Sequence, residues 1–170
     1  MLVGFSTTFQ NHTGVVQRVI DALGELPVRG IVTLGPSLKE EELSAAANVD
    51  LIRHARHDAL MRQAAVVVTH GGHGTVARAL AHERPMLVIP HGRDQNDNAV
   101  RVSHRGAGLT LMPDASTDDI RAALERLLNE PSFAEAASRL GQAVRRETEA
   151  SPIVDVLEAL TSGNAERAAA

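Results

Sequence analysis

The chain of 170 residues has no cysteine, no tryptophan and no tyrosine, and only three phenylalanines. Without cysteine there are no disulfides, no thiolate nucleophile and no cysteine-held metal, a composition that fits a reducing compartment such as the cytoplasm. Aromatic residues at 2% leave neither a stacking platform for single-stranded nucleic acid nor an aromatic shelf for a sugar. No basic run is present, and 17 Lys+Arg against 21 Asp+Glu give a formal charge of -4, which disfavours nucleic acid and anionic membrane as partners. The longest unbroken apolar run, Ala64 to Val68, is far short of the roughly 20 residues of a membrane span. No charged-then-apolar leader opens the sequence. Recognition must therefore rest on polar side chains and backbone.

What is present describes a globular α/β domain. Hydrophobic residues are 44% and charged residues 22% of the chain, with 13 glycines and 7 prolines, enough apolar material for one core. Strands are expected at Leu2–Phe5, Val28–Leu34, Val49–Ile52, Ala65–Thr69, Met86–Ile89 and Leu109–Leu111. Helical spacing falls between them, at Val15, Val16, Val19, Ile20 and Leu23, near Asp58–Gln63, over His73–Glu83 and over Asn96–Arg105, where Gly106 stops the helix. The acidic stretch from Ser37 to Asn48 has no clear pattern. Ser116 with Asp119, and Ser132 with Glu135, have the spacing of capping boxes, and Ser151-Pro152 opens a last helix with proline at its first position. Most strands are apolar on both faces, so a parallel sheet of about six strands covered on both sides is expected, a Rossmann-like three-layer domain over residues 1–162 with a frayed tail at 163–170. A core strand directly after Met1 suggests the C-terminal half of a longer chain.

In such sheets ligands bind beyond the carboxyl ends of the strands. The loop Thr69-His70-Gly71-Gly72-His73-Gly74-Thr75 follows the strongest strand and opens a helix. Its glycines permit a tight turn and close approach, and the amides at the helix start attract an anion, so it reads as a phosphate cradle into which His70 and Thr75 can donate. The next such loop, His91 to Asn98, is almost wholly polar, and Asp94 beside Gln95 suits vicinal hydroxyls of a sugar. Ser6-Thr7-Thr8, after the first strand, could reach the same phosphate. Paired histidines at His54/His57 and His70/His73 lack an acidic ligand in a metal-binding frame, so no metal is expected.

Together these loops carry a resemblance. Val66 to Val102, VVVTHGGHGTVARALAHERPMLVIPHGRDQNDNAVRV, resembles the donor-binding signature of the UDP-glycosyltransferase superfamily, in particular bacterial macrolide and antibiotic glycosyltransferases. LVGFSTTFQ, the Ala55–Leu60 segment and RGAGLTL at Arg105–Leu111 resemble that family in the same order. The resemblance implies the C-terminal, nucleotide-sugar-binding half of a two-domain GT-B inverting glycosyltransferase, acting on a small-molecule natural-product acceptor with a dTDP- or UDP-sugar donor. It implies that His70, Gly72, Gly74 and Thr75 hold the diphosphate, approached by Thr7, and that Asp94 and Gln95 hold sugar hydroxyls. His54, Ala55, His57 and Arg78 fall at the base and ribose positions. No cofactor or metal is implied, and the acceptor-activating base is expected on an N-terminal domain absent from this chain, so the chain alone should bind donor without transferring it. Arg78 stands where the family often has a ribose-gripping glutamate, Arg56 where a proline is expected, and the base-stacking tryptophan is missing. These departures make dTDP at least as suitable as UDP.

Other readings stay open at this point: the donor-binding subunit of a split glycosyltransferase, a non-catalytic regulator, or a dinucleotide-binding Rossmann domain with Asp94 on the ribose. A homodimer through an apolar face is also compatible with the sequence.

Overall fold

The computed structural model describes residues 1–5, 12–149, 153, 156–158 and 160. The Ser6-Thr7-Thr8 loop, the Ser151-Pro152 helix start and the 163–170 tail lie outside the described residues. Six parallel strands, β1 (Leu2–Gly4), β2 (Gly30–Thr33), β3 (Val49–Ile52), β4 (Val67–Thr69), β5 (Met86–Val88) and β6 (Gly108–Thr110), form one sheet in the order β3-β2-β1-β4-β5-β6. The helices are α1 (Thr13–Gly24), α2 (His57–Gln63), α3 (His73–Ala81), α4 (Gln95–His104), α5 (Thr117–Asn129) and α6 (Pro131–Glu149). The Rossmann-like expectation is met.

Alternation along the strands builds two cores. Val66 and Val68 point to the side covered by α1 and α5, where Val16, Val19, Ile20, Ile120 and Leu124 are buried with them. Val67 points to the other side, against Val76, Ala79, Ala99, Val102 and Ala137 of α3, α4 and α6. A strand buried on both faces must be apolar at every position, which is why this segment reads as an unbroken run. The chain steps outward from β1 to β2 to β3, then returns to the opposite edge of β1 for β4. That reversal leaves a crevice at the carboxyl ends of β1 and β4.

The capping box at Ser116 and Asp119 forms on both sides, with the Asp119 amide donating to Ser116 Oγ at 3.1 Å and the Ser116 amide to Asp119 Oδ2 at 3.1 Å. Ser132 does not cap α6. The helix already starts at Pro131, whose locked φ and missing N–H suit a first helical position, so Ser132 falls inside the first turn. The acidic stretch contains a short 3-10 turn, Glu40–Glu42. Asn48 closes it, its Nδ2 donating to the carbonyls of Leu23 at 2.8 Å, Leu26 at 3.0 Å and Val28 at 2.7 Å. Asn48→Ala removes three hydrogen bonds, although the Leu23 and Leu26 carbonyls keep backbone donors from Leu26 and Val28, and is expected to cost about 1 to 2 kcal/mol in urea denaturation; an unshifted midpoint would show that water takes over the amide's role.

No helix among the described residues is long and apolar enough to cross a membrane. Beyond α6, Ile153, Val156, Leu157 and Leu160 are exposed at the spacing of one helical face.

Candidate functional site

Two adjoining features line the crevice. The first is the turn from β4 into α3. Thr69 is buried, and its Oγ1 accepts from the Gly71 amide at 3.3 Å, which folds the backbone back over the strand end. Gly71 has φ +88, and a Cβ there would lie 2.7 Å from Val88 Cγ1, so this position excludes a side chain on both conformational and steric grounds. At Gly72 a Cβ would lie 2.6 Å from His70 Nε2, so the imidazole lies across the turn and needs glycine beneath it. Gly74 differs, because a Cβ there would meet nothing within 4 Å.

α3 begins at His73 after Gly72, with no side chain capping its amides. Its N-terminal partial charge therefore faces the crevice. Thr75 lies in that first turn. His70 is 9% exposed. Burial, followed by the neighbouring His91, lowers its pKa, while Asp94 and a bond to the Gly4 backbone oppose the shift. The ring is thus predominantly neutral near pH 7, and an anion placed against it would favour its charged form.

The loop after β5 is locked to this turn. Asn98 Nδ2 donates to the Gly71 carbonyl at 3.0 Å and to Asp94 Oδ2 at 2.9 Å, so one amide ties the Gly-rich turn to the start of α4. Asp94 is exposed at the N-cap position. Gln95 is buried, and its Oε1 accepts from the His91 amide at 2.7 Å, holding the loop from within. The structure thus presents Asp94 outward and turns Gln95 inward.

The second feature is a cleft of about 290 Å³ at the ends of β2 and β3, walled by Thr33, Arg53, His54, Ala55, His57 and Arg78 among others. All four residues assigned to base and ribose from the sequence meet here. Among the described residues no Asp or Glu lines this cleft. His57 Nε2 lies 3.2 Å from Thr33 Oγ1, whose hydroxyl also lies 3.1 Å from the Val3 carbonyl and can donate to it, an arrangement that suits a proton on His57 Nε2. Burial first, then the charge of Arg78, lowers the His57 pKa, against a smaller opposite effect of Asp58. Arg78 is steadied by Asp58 at 3.4 Å, which also meets His82 at 3.4 Å.

His73 points away from the turn and lines an apolar groove with Val76, Leu80, Val102 and Leu140. Among the described residues no three His, Asp or Glu side chains are grouped to hold a metal ion. Thr7 lies outside the described residues.

Sequence reasoning missed a ring cluster behind His70. His12 and His91 meet edge to face with centroids 4.4 Å apart, His12 lies 6.0 Å from His70, and Phe5 touches all of them at 5.1 to 6.3 Å. The signal was present, because His12, His70 and His91 all follow strands that the sheet places side by side. It becomes visible only once the strand order is known.

Comparison with known proteins agrees with the fold. The family model for the C-terminal domain of erythromycin biosynthesis protein CIII-like proteins matches residues 17–160. Aclacinomycin-T 2-deoxy-L-fucose transferase of Streptomyces galilaeus is 36% identical over 157 residues, covering 86% of this chain and 34% of the relative. The solved structure of spinosyn forosaminyltransferase SpnP is similar with a TM-score of 0.74 and 34% identity, covering 88% of this chain and 39% of that one. Glycosyltransferase VinC, solved in complex with dTDP, gives a TM-score of 0.72 and 26% identity over 85% of this chain and 37% of its own. The chain spans about a third of the length of the curated relatives it matches.

Proposed function

Since the chain belongs to the erythromycin biosynthesis protein CIII-like C-terminal domain family, found in natural-product glycosyltransferases, we propose that it is the nucleotide-sugar-binding part of an inverting glycosyltransferase that uses a dTDP- or UDP-sugar. The observation that carries this reading is the union of an uncapped helix start, the Gly71-Gly72 turn and His70 with a nucleoside-sized cleft next to it. The base and ribose occupy the cleft between His54, Ala55, His57 and Arg78. The diphosphate lies across Gly72, Gly74 and Thr75 under His70, approached by Thr7. Asp94 meets the sugar hydroxyls, and Gln95 holds the loop that presents it.

In the reaction an acceptor hydroxyl attacks the anomeric carbon from the face opposite the diphosphate. The C–O bond to the diphosphate breaks, and its electron pair leaves on the phosphate oxygen. The α3 amides, His70 and Thr75 stabilise that developing charge, so the donor domain lowers the barrier by electrostatics without a cofactor or metal. The base that removes the acceptor proton and the acceptor pocket belong to a separate domain, and this chain alone binds donor without transfer. The absence of a carboxylate among the described residues of the nucleoside cleft favours a 2′-deoxyribose, because a ribose diol would lack a bidentate acceptor there.

Calorimetry with dTDP, UDP, GDP, ADP and NAD tests the reading. Binding confined to dTDP and UDP is expected, and NAD binding alone would overturn it in favour of a dinucleotide domain. Gly74→Ala sharpens the test. With open space around it, the added methyl should leave thermal stability unchanged or raise it by up to about 1 kcal/mol, as alanine for glycine in a helix does. It should nevertheless weaken dTDP several-fold, because it stands where the phosphate approaches the backbone. Unchanged affinity would move the phosphate away from this turn.

A further inference from the structure

We propose that His12 is a further ligand of the anion held at the Gly71–Thr75 turn, its imidazole closing on a diphosphate oxyanion alongside His70. The inference rests on the reading of that turn as a diphosphate site. His12 is 2% exposed, and among the described residues neither Nδ1 nor Nε2 has a hydrogen-bond partner. A buried polar ring without partners costs stability, and a phenylalanine would fill the same space without that cost. Phe5 packs 5.1 Å from it, so the imidazole rests against an apolar ring on that side. An imidazole in this position has a physical rationale if a ligand supplies the missing partner.

Its surroundings define the ligand. His12 immediately precedes α1, and α1, α3 and α4 all begin without a side-chain cap at the ends of the neighbouring strands β1, β4 and β5. α5, by contrast, is fully capped by its own sequence. Three sets of helix-opening amides and three imidazoles thus converge on one region, an arrangement suited to negative charge. The charged and titratable groups acting on the cluster are His70 and His91 on His12, His91 and Asp94 on His70, and Arg18 on His91. Asp94 is the one carboxylate among them, and its Oδ2 already accepts from Asn98. His91 donates from Nδ1 to the Ile89 carbonyl at 2.9 Å, so that ring is oriented by the backbone and buttresses His12 edge to face.

Proton linkage follows. Burial, then the nearby His91 and His70, push the His12 pKa down to about 4 in the free protein. An oxyanion against the ring favours its charged form, so diphosphate binding takes up a proton.

The test is calorimetric titration of the chain with inorganic pyrophosphate and with dTDP, from about pH 5.5 to 8, in buffers of different ionisation enthalpy so that proton uptake is counted. His12→Phe should fold with equal or higher thermal stability, bind both ligands about ten-fold more weakly, and lose part of the proton uptake. His12→Gln keeps an N–H donor but cannot titrate, so it should retain more of the affinity while losing the same proton uptake. Wild-type binding matched in affinity and proton uptake by both variants would overturn the role of His12 and leave the diphosphate reading standing. Failure of the wild type to bind either ligand would overturn both.

Discussion

His70→Ala is expected to weaken dTDP or UDP binding about ten- to a hundred-fold, the range of one lost hydrogen bond to a charged group. His70 is the donor most firmly placed over the turn. Its Nε2 lies so close above Gly72 that no side chain fits between them, and its ring is held by the Gly4 backbone and by Phe5. The backbone of the turn should survive the substitution, because the Thr69 hydroxyl and the Asn98 amide hold it independently of the imidazole. Thermal unfolding should show a modest loss from the vacated ring volume, which calorimetry on the same sample separates from the loss of affinity. Retention of full affinity would mean that the Gly-rich turn is only a structural joint between β4 and α3.

Acid should destabilise the domain well before its carboxylates titrate. His12, His57, His70 and His91 all have pKa values lowered by burial. The unfolded chain therefore binds protons near pH 6.5 that the folded chain refuses. Stability contributed by the neutral rings is fully present above about pH 6.5 and is lost as pH falls, until each ring protonates in the folded state as well. For His12 that lower limit is about pH 4, so this ring alone accounts for up to about 3 kcal/mol across the window. Urea denaturation at pH 7 and at pH 4.5 should reveal the loss, and His12→Phe should remove a large part of the slope. A stability unchanged between these two conditions would show that the rings are not held neutral. Saturating diphosphate should reduce the acid loss, since the anion stabilises the protonated rings.

How much of this was legible beforehand differs between elements. Each strand and helix of the described residues was foreshadowed by local pattern, because a buried parallel strand must be apolar throughout and a helix covering it must repeat every three to four residues. The Ser116 cap was readable for the same reason, as its partners lie within one turn of chain. The Ser132 cap was misread because Pro131 competes for the helix start with equally local chemistry. Among site residues, His70 and the glycines announced themselves through a motif contained in a few consecutive positions.

Asn98, His12, His91 and the inward turn of Gln95 did not. Asn98 matters because it reaches Gly71, 27 residues earlier in the chain, and Gln95 because it was folded inward to hold the His91 amide. The sequence by itself determined the layered α/β class, the anion-suited turn and the family membership, all of which depend on the composition and order of short segments. The tertiary structure alone decided that His12 comes to rest against His70 and His91, buried and, among the described residues, without a hydrogen-bond partner. That outcome depends on β1 lying next to β4, and β4 next to β5, and strand neighbours are chosen by packing over the whole sheet, which no local window of sequence contains.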